Sequence, residues 1–250
     1  MSQLDDLLRD LVVANRILSN EDVVDAYGHV SVRHPDNAKR FFMSRSRAPE
    51  LVERHDLIEF DQVGEPVHDK RQPYLERFIH AAIFESRPDV MAVVHAHAED
   101  TLPFGLIAVP LQPVIHSGSF IGGKVPVWDI RKKFGDTNLL VTNMAQGRDL
   151  AKCMAEGNVA LMRGHGFASA ARSVIEVVRL SVYLPRNARV QMNVMRMGGK
   201  PKPLSKGEIA ARAAGYKPGS QETWRAWEYW ATRAGCADMI GKPDDHAAKG

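Results

Sequence analysis

The sequence predicts an α/β fold, with helices packed on a sheet, from three observations. Apolar residues at the N-terminus recur with helical spacing, short apolar or alternating runs bounded by Pro, Asp, Asn or Gly recur along the chain, and the two patterns interleave. Leu4, Leu7, Leu8, Leu11 and Val12 follow an i, i+3, i+4, i+7, i+8 pattern, which predicts an amphipathic helix ending near Leu18. The runs at 29–33, 40–43 and 57–60 read as strands of a sheet with one exposed face. Residues 74–87 read as a helix stopped by Pro88, and 90–96 as a buried strand. A short helix near 98–106 leads into a Gly- and Pro-rich stretch, 110–126, that is mostly loop and strand edge. The segment 138–142 reads as a strand, 145–156 as a helix ended by Gly157, and 158–163 as a strand. A long helix over 172–196 should be kinked or interrupted by Pro185. Beyond the breakers Gly198, Gly199, Pro201 and Pro203, two helical segments carry Trp224, Trp227 and Trp230, whose spacing marks a docking face on the core or on a neighbouring subunit. Residues 1–250 read as one domain with a helical extension over about 204–240, and the last residues, 244–250, are expected to fray.

With 250 residues, 44% hydrophobic and 25% charged, the chain is outside the collagen-like, disordered and small disulfide-stapled classes. A formal net charge of +3 gives no nucleic-acid footprint. Between Arg186 and Lys217 the basic residues face Glu208 alone, a solvated surface that could steer anions. Cys153 and Cys236 are the only cysteines, and they form no C-x-x-C pair, so a reducing compartment is the simpler reading. The N-terminus carries acids where a secretory signal carries Lys or Arg, and no apolar run approaches about 18 residues. The expectation is a cytoplasmic protein with neither nucleic acid nor membrane as partner. Neither G-x-x-x-x-G-K-[ST] nor a strand-anchored G-x-G-x-x-G is present, so nucleotide binding has no support.

Three local patterns carry chemistry. His95 and His97 flank Ala96 at the end of a predicted strand, where side chains two apart share a side and can chelate one metal ion. His165 stands between Gly164 and Gly166 after another predicted strand, where backbone can approach closely. Glu76 opens a predicted helix with His80 one turn on, on the same face. Each alone has a plain alternative: satisfied core or surface histidines, an ordinary turn histidine, and a glutamate serving the helix dipole. Together, imidazoles and an adjacent carboxylate form an open site suited to Zn²⁺, Mn²⁺ or a similar ion.

Taken in order, Gly28-His29-Val30-Ser31, Glu76-x-x-x-His80, Arg87-Pro88-Asp89-Val90, Val94-His95-Ala96-His97 and Gly164-His165-Gly166 resemble the class II aldolase/adducin family over nearly the whole chain. The resemblance implies a three-layer fold with a largely antiparallel central sheet flanked by helices, commonly a homotetramer with the metal near a subunit interface. It implies His95, His97 and His165 as metal ligands, and Glu76 as the carboxylate that shuttles protons or closes the metal sphere.

Departures from the family narrow the function. Sugar-phosphate members usually have Gly-Asn-x-Ser where His29 stands, and hydroxyl residues just ahead of the glutamate where this chain has Gln72-Pro73-Tyr74-Leu75; proline cannot donate a hydrogen bond. In place of a phosphate loop stands Met43-Ser44-Arg45-Ser46-Arg47-Ala48-Pro49, and Ser117 follows His116 where some aldolases have a tyrosine acid. Arg45 and Arg47, on one side of an extended segment, can bind a substrate carboxylate, or can be a solvated basic loop. These features resemble the branch of metal-dependent decarboxylases acting on hydroxylated aromatic or pyridine dicarboxylates. The expectation is such a carboxy-lyase, taking a small-molecule aromatic carboxylate, with Mn²⁺ as first choice and Zn²⁺, Fe²⁺ or Co²⁺ as alternatives. Glu76 is the first choice for proton donor, followed by His80 and His29. Arg45 or Arg47 holds the spectator carboxylate, and His116 lines the pocket. The alternatives are an aldolase, epimerase or dehydratase of a sugar or sugar acid, and an adducin-like scaffold without catalysis.

Overall fold

The computed structural model describes residues 2–241; the expected fraying of residues 244–250 lies outside them. Helix α1, Gln3–Asn20, starts at a capping box in which Ser2 and Asp5 satisfy each other's backbone N–H groups. Strands β1 (His29–Arg33), β2 (Arg40–Ser44) and β3 (Leu57–Asp61) follow, then α2 (Arg77–Ser86) and β4 (Ala92–Ala96). The second half adds β5 (Val127–Trp128), α3 (Arg131–Phe134), α4 (Met144–Met154), β6 (Val159–Met162), β7 (Gly166–Ala171) and α5 (Val174–Arg196). Helices α6 (Lys206–Ala214) and α7 (Gln221–Arg233) complete the described chain.

Among the described residues the strands form one seven-stranded sheet in the order β3-β2-β1-β4-β7-β6-β5. Neighbours are antiparallel except at the edge, where β5 runs parallel to β6. The sheet is therefore mixed, a correction to the largely antiparallel one that the resemblance implied.

Side-chain alternation builds a core on each face of the sheet. Val30, Val32, Val94, Ala96 and Phe167 pack with α1, α5 and the tryptophans of α7. Phe41, Met43, Val93, Ala168 and Ala170 pack with α2 and α4 on the other face. Strands β1 and β4 are buried throughout, so the expectation of one exposed sheet face fails: helices cover both sides of the central strands. Trp224, Trp227 and Trp230 are buried within this chain's own core.

Three further expectations are corrected. Residues 138–142 form no strand, because side chains hold the backbone N–H groups a ladder would need. Leu139 N–H donates to Thr137, Leu140 to Asn138, Val141 to Glu76 and Thr142 to Gln146. Residues 166–171, read as part of no strand, form the central strand β7, whose Gly, Ala and Ser content hides it from propensity. Helix α5 runs through Pro185 without interruption, its flanks Leu184 and Ala188 fully buried; packing on both sides outweighs one lost backbone hydrogen bond. Within the basic stretch, Arg186 pairs with Glu21, Arg189 with Asp100 and Arg212 with Glu222. Both cysteines are free thiols. No helix among the described residues is long and apolar enough to cross a membrane.

Candidate metal centre and substrate cavity

With Val30 and Val94 committed to the α1 and α5 side, alternation turns His29, Ser31 and His95 toward α2. The register places His29 opposite His95, with ring centroids 5.1 Å apart. His97 follows β4, and His165 sits in the tight turn between β6 and β7. Gly166 allows that turn to close: a Cβ there would lie 2.2 Å from the Ala96 carbonyl oxygen and 3.0 Å from Cδ2 of His97. Glu76 is the N-cap residue of α2 but makes no capping bond; its side chain is turned to the histidines instead. Its Oε1 accepts the Val141 N–H at 3.0 Å.

The result is one cluster. Ligand atoms of Glu76, His95, His97 and His165 lie within 4.8 Å of one another. Glu76 Oε2 is 3.4 Å from Nε2 of both His95 and His165. Nδ1 of His95 lies 2.9 Å from the Phe167 carbonyl oxygen and Nδ1 of His165 lies 3.1 Å from that of Leu139. Leu139 holds a left-handed φ of 68°, and its carbonyl is one that the loop turns toward the site. With Nδ1–H donated to a carbonyl, each neutral ring presents an Nε2 lone pair to its neighbours. Nε2 of His97 and Nε2 of His95 face each other at 3.1 Å. Lone pairs directed at one another and at a carboxylate repel unless protons or a cation lie between them. Three imidazoles and a carboxylate so oriented fit a divalent metal ion.

Burial would raise the Glu76 carboxyl, but the adjoining His95 and His165 outweigh it and hold the group well below the usual carboxylate range. Held low in this way, the Glu76 carboxylate is an acceptor among the imidazoles. Burial, with His95 and His165 beside it, pulls His97 down to about 4. Behind the cluster, His80 is fully buried and pulled down to about 3 by that burial and by His95. His80 Nε2 lies 2.6 Å from His29 Nδ1, and His80 Nδ1 lies 2.6 Å from Ser31 Oγ. Burial first, then His80 and His95, push His29 well below the ordinary imidazole range.

A cavity of about 350 Å³ opens onto the cluster, lined among others by Tyr27, His29, Arg47, Tyr74, Glu76, His97 and His165. A larger cavity of about 570 Å³ touches His97 alone of these ligands; its arginines are already paired, Arg186 and Arg233 with Glu21 and Arg189 with Asp100, and Asp22, Asp25 and Glu99 also line it. The smaller cavity is the one with the chemistry. Arg45 and Arg47 do share a side, and both contact buried Asp56, but Arg47 lines the cavity and Arg45 does not. His116 is exposed at the start of a short 3-10 turn and does not line the cavity. Three participants escaped sequence reasoning. Tyr74 packs on His29 with centroids 4.6 Å apart and donates its hydroxyl to the Arg47 carbonyl. Ser31 and Asp56 hold His80 and the arginines; only the tertiary register reveals them, although Ser31 lies in a quoted motif. Arg87-Pro88-Asp89 is structural: Arg87 pairs with Asp89 and caps the Ala155 and Gly157 carbonyls.

Comparison with known proteins accords with this geometry. The family model described as Class II Aldolase and Adducin N-terminal domain matches residues 9–192. The chain is 38% identical over 198 residues, 74% of each chain, to Decarboxylase tropJ of Talaromyces stipitatus. It is 27% identical over 243 residues to the 3,4-dihydroxyphthalate decarboxylase of Arthrobacter keyseri, covering 91% of this chain and 93% of that one. Among solved structures, an aldolase II superfamily protein from Pseudomonas syringae superposes with a TM-score of 0.77 at 20% identity, covering 96% of this chain and 98% of that one. An L-fuculose 1-phosphate aldolase superposes with a TM-score of 0.71 at 19% identity, covering 86% and 96%; both likenesses speak to the fold alone. The chain belongs to the Class II Aldolase and Adducin N-terminal domain family.

Proposed function

We propose that the protein is a divalent-metal-dependent decarboxylase of a hydroxylated aromatic or pyridine dicarboxylate. One observation carries the reading: an arginine able to take a carboxylate, Arg47, lines the same cavity as the cluster of His95, His97, His165 and Glu76. That decarboxylases of aromatic compounds stand among the similar proteins supports it. Mn²⁺ is the proposed ion, with Zn²⁺, Fe²⁺ and Co²⁺ sharing its preference for such donors. The reading takes residues 1–250 as one domain with the helical extension about 204–240, working as a cytoplasmic homotetramer.

An ion held by His95, His97 and His165 supplies a Lewis acid for negative charge developing on the substrate's ring oxygen. Arg47 binds the spectator carboxylate and fixes the ring in the cavity. Tyr74 and Tyr27 offer flat apolar faces to the ring. His29 is placed to hand a proton to the ring carbon that bears the departing carboxylate, with His80 behind it as second holder of that proton. Burial disfavours the His29 cation; two arriving carboxylates raise its proton affinity when a proton is needed. Protonation makes the ring a β-keto acid equivalent, the carbon–carbon bond breaks toward the ring oxygen, and loss of CO₂ restores aromaticity. Glu76, kept anionic, orients the imidazoles.

The test is CO₂ release from a panel of hydroxylated benzene and pyridine dicarboxylates, beginning with 3,4-dihydroxyphthalate. Metal-dependent release from at least one is expected. Aldol cleavage of a sugar acid with no release from any panel member would replace this reading.

A further inference from the structure

Asp56 is fully buried at the end of the short turn Arg54–Asp56 that leads into β3. Its Oδ1 accepts a hydrogen bond from Arg45 Nε at 2.6 Å, and its Oδ2 lies 3.2 Å from Arg47 Nε and accepts the Glu53 N–H at 2.9 Å. The Arg45 N–H in turn donates to the Asp56 carbonyl at 2.8 Å. Arg45 thus spends Nε on the carboxylate, while Arg47 pairs with it through an Nε that donates its hydrogen bond to the Leu51 carbonyl at 2.5 Å. Their terminal nitrogens make no hydrogen bond among the described residues, and the two side chains remain 33% and 29% exposed. Among the other ionisable neighbours, Glu53 and His55 are 54% and 71% exposed and are screened by solvent, and Arg71, which also interacts with Asp56, is neutralised by its pairing with Asp69.

Two guanidinium ions on one buried carboxylate leave a single net positive charge beside the cavity. A carboxylate monoanion completes a neutral group, while a phosphate or phosphonate dianion brings a surplus charge that the low-dielectric side of the site cannot solvate. Specificity of this kind is a difference between two affinities, set as much by what is rejected as by what is held. We propose that Asp56 is the positioning residue that determines anion specificity: it fixes the Arg45–Arg47 pair and cancels one of its charges, so that the pair takes a carboxylate in preference to a phosphate-like dianion. This rests on the reading of the cavity as a carboxylate site.

Charge arithmetic supplies the test. Phthalate and 2-phosphonobenzoate share a ring and one carboxylate and differ in the charge of the second group. Their dissociation constants are measured at pH 8 with the metal-loaded protein and three variants. The wild type prefers phthalate. D56N, with one more net positive charge, shifts the ratio toward the phosphonate by about tenfold. R45Q, with none left, weakens phthalate by about tenfold although Arg45 does not line the cavity. The double variant R45Q/D56N restores the charge and returns the ratio to within about twofold of the wild type. Variants that weaken both probes alike, or a double variant whose losses simply add, would overturn the proposal and leave the cavity reading standing. A wild type that binds neither probe would overturn both.

Discussion

His80 of α2 and His29 of β1 meet nitrogen to nitrogen at 2.6 Å, and Ser31, two residues along the strand, holds the far side of the His80 ring at the same distance. Strand alternation makes this possible, because it sends His29 and Ser31 to one face where α2 lies. Both nitrogens of the buried ring are engaged, so its plane is fixed, and with it the nitrogen that His29 leaves toward the cavity. If His29 hands over the proton, H80Q lowers kcat by about a hundredfold and S31A by about tenfold, with bound metal unchanged. Steady-state kinetics beside metal analysis checks this; unchanged kcat in H80Q would remove the pair from the reaction.

Acid stability reports on the same residue. The unfolded histidine titrates near 6.5, whereas burial, and His95 after it, hold His80 at about 3 in the fold. The unfolded chain therefore binds a proton that the folded one refuses. The contribution of His80 to stability is intact above pH 6.5 and is lost as pH falls toward 3, at up to about 1.4 kcal/mol per pH unit. Denaturant unfolding between pH 7 and pH 4 should show a shallower decline for H80Q than for the wild type.

Gly166 can be tested without touching a ligand. A Cβ at this position meets the Ala96 carbonyl oxygen at 2.2 Å, too close for the β4–β7 pairing to persist unchanged. G166A should lower metal affinity at least about tenfold by displacing His97 and His165, with secondary structure retained by circular dichroism.

Arg47 lines the cavity and shares none of the cluster's ligand atoms. R47A should raise KM for a dicarboxylate by about tenfold or more while metal content holds, as expected when a charged hydrogen bond to substrate is lost. A fall in kcat with KM unchanged would mean that Arg47 acts only after binding.

Helices α1, α2 and α4 and strands β1 to β4 were legible because amphipathic period and turn residues are local signals. Strand β7 was not, since Gly166, Ala168, Ser169, Ala170 and Ala171 show neither period nor β-branching; the strand exists because β4 and β6 flank it. Residues 138–142 misled for the opposite reason: Leu139, Leu140, Val141 and Thr142 look like a strand, yet the nearby Thr137, Asn138 and Gln146 and the distant Glu76 take up their N–H groups. The same division holds at the site. His95 with His97, and His165 between its glycines, announce themselves in short windows. The His80–Ser31 contact and the hold of Asp56 on Arg45 and Arg47 depend on strand register and loop closure.

The central claim is that His95, His97 and His165, with Glu76 beside them, grip one divalent cation. Equilibrium titration of the chelator-stripped protein with Mn²⁺ tests it most directly, run beside the H95A/H97A/H165A variant. Saturation at one ion per chain, with affinity at least about a thousandfold weaker in the variant, is the predicted result. Absence of saturable binding, or equal binding by the variant, would contradict it.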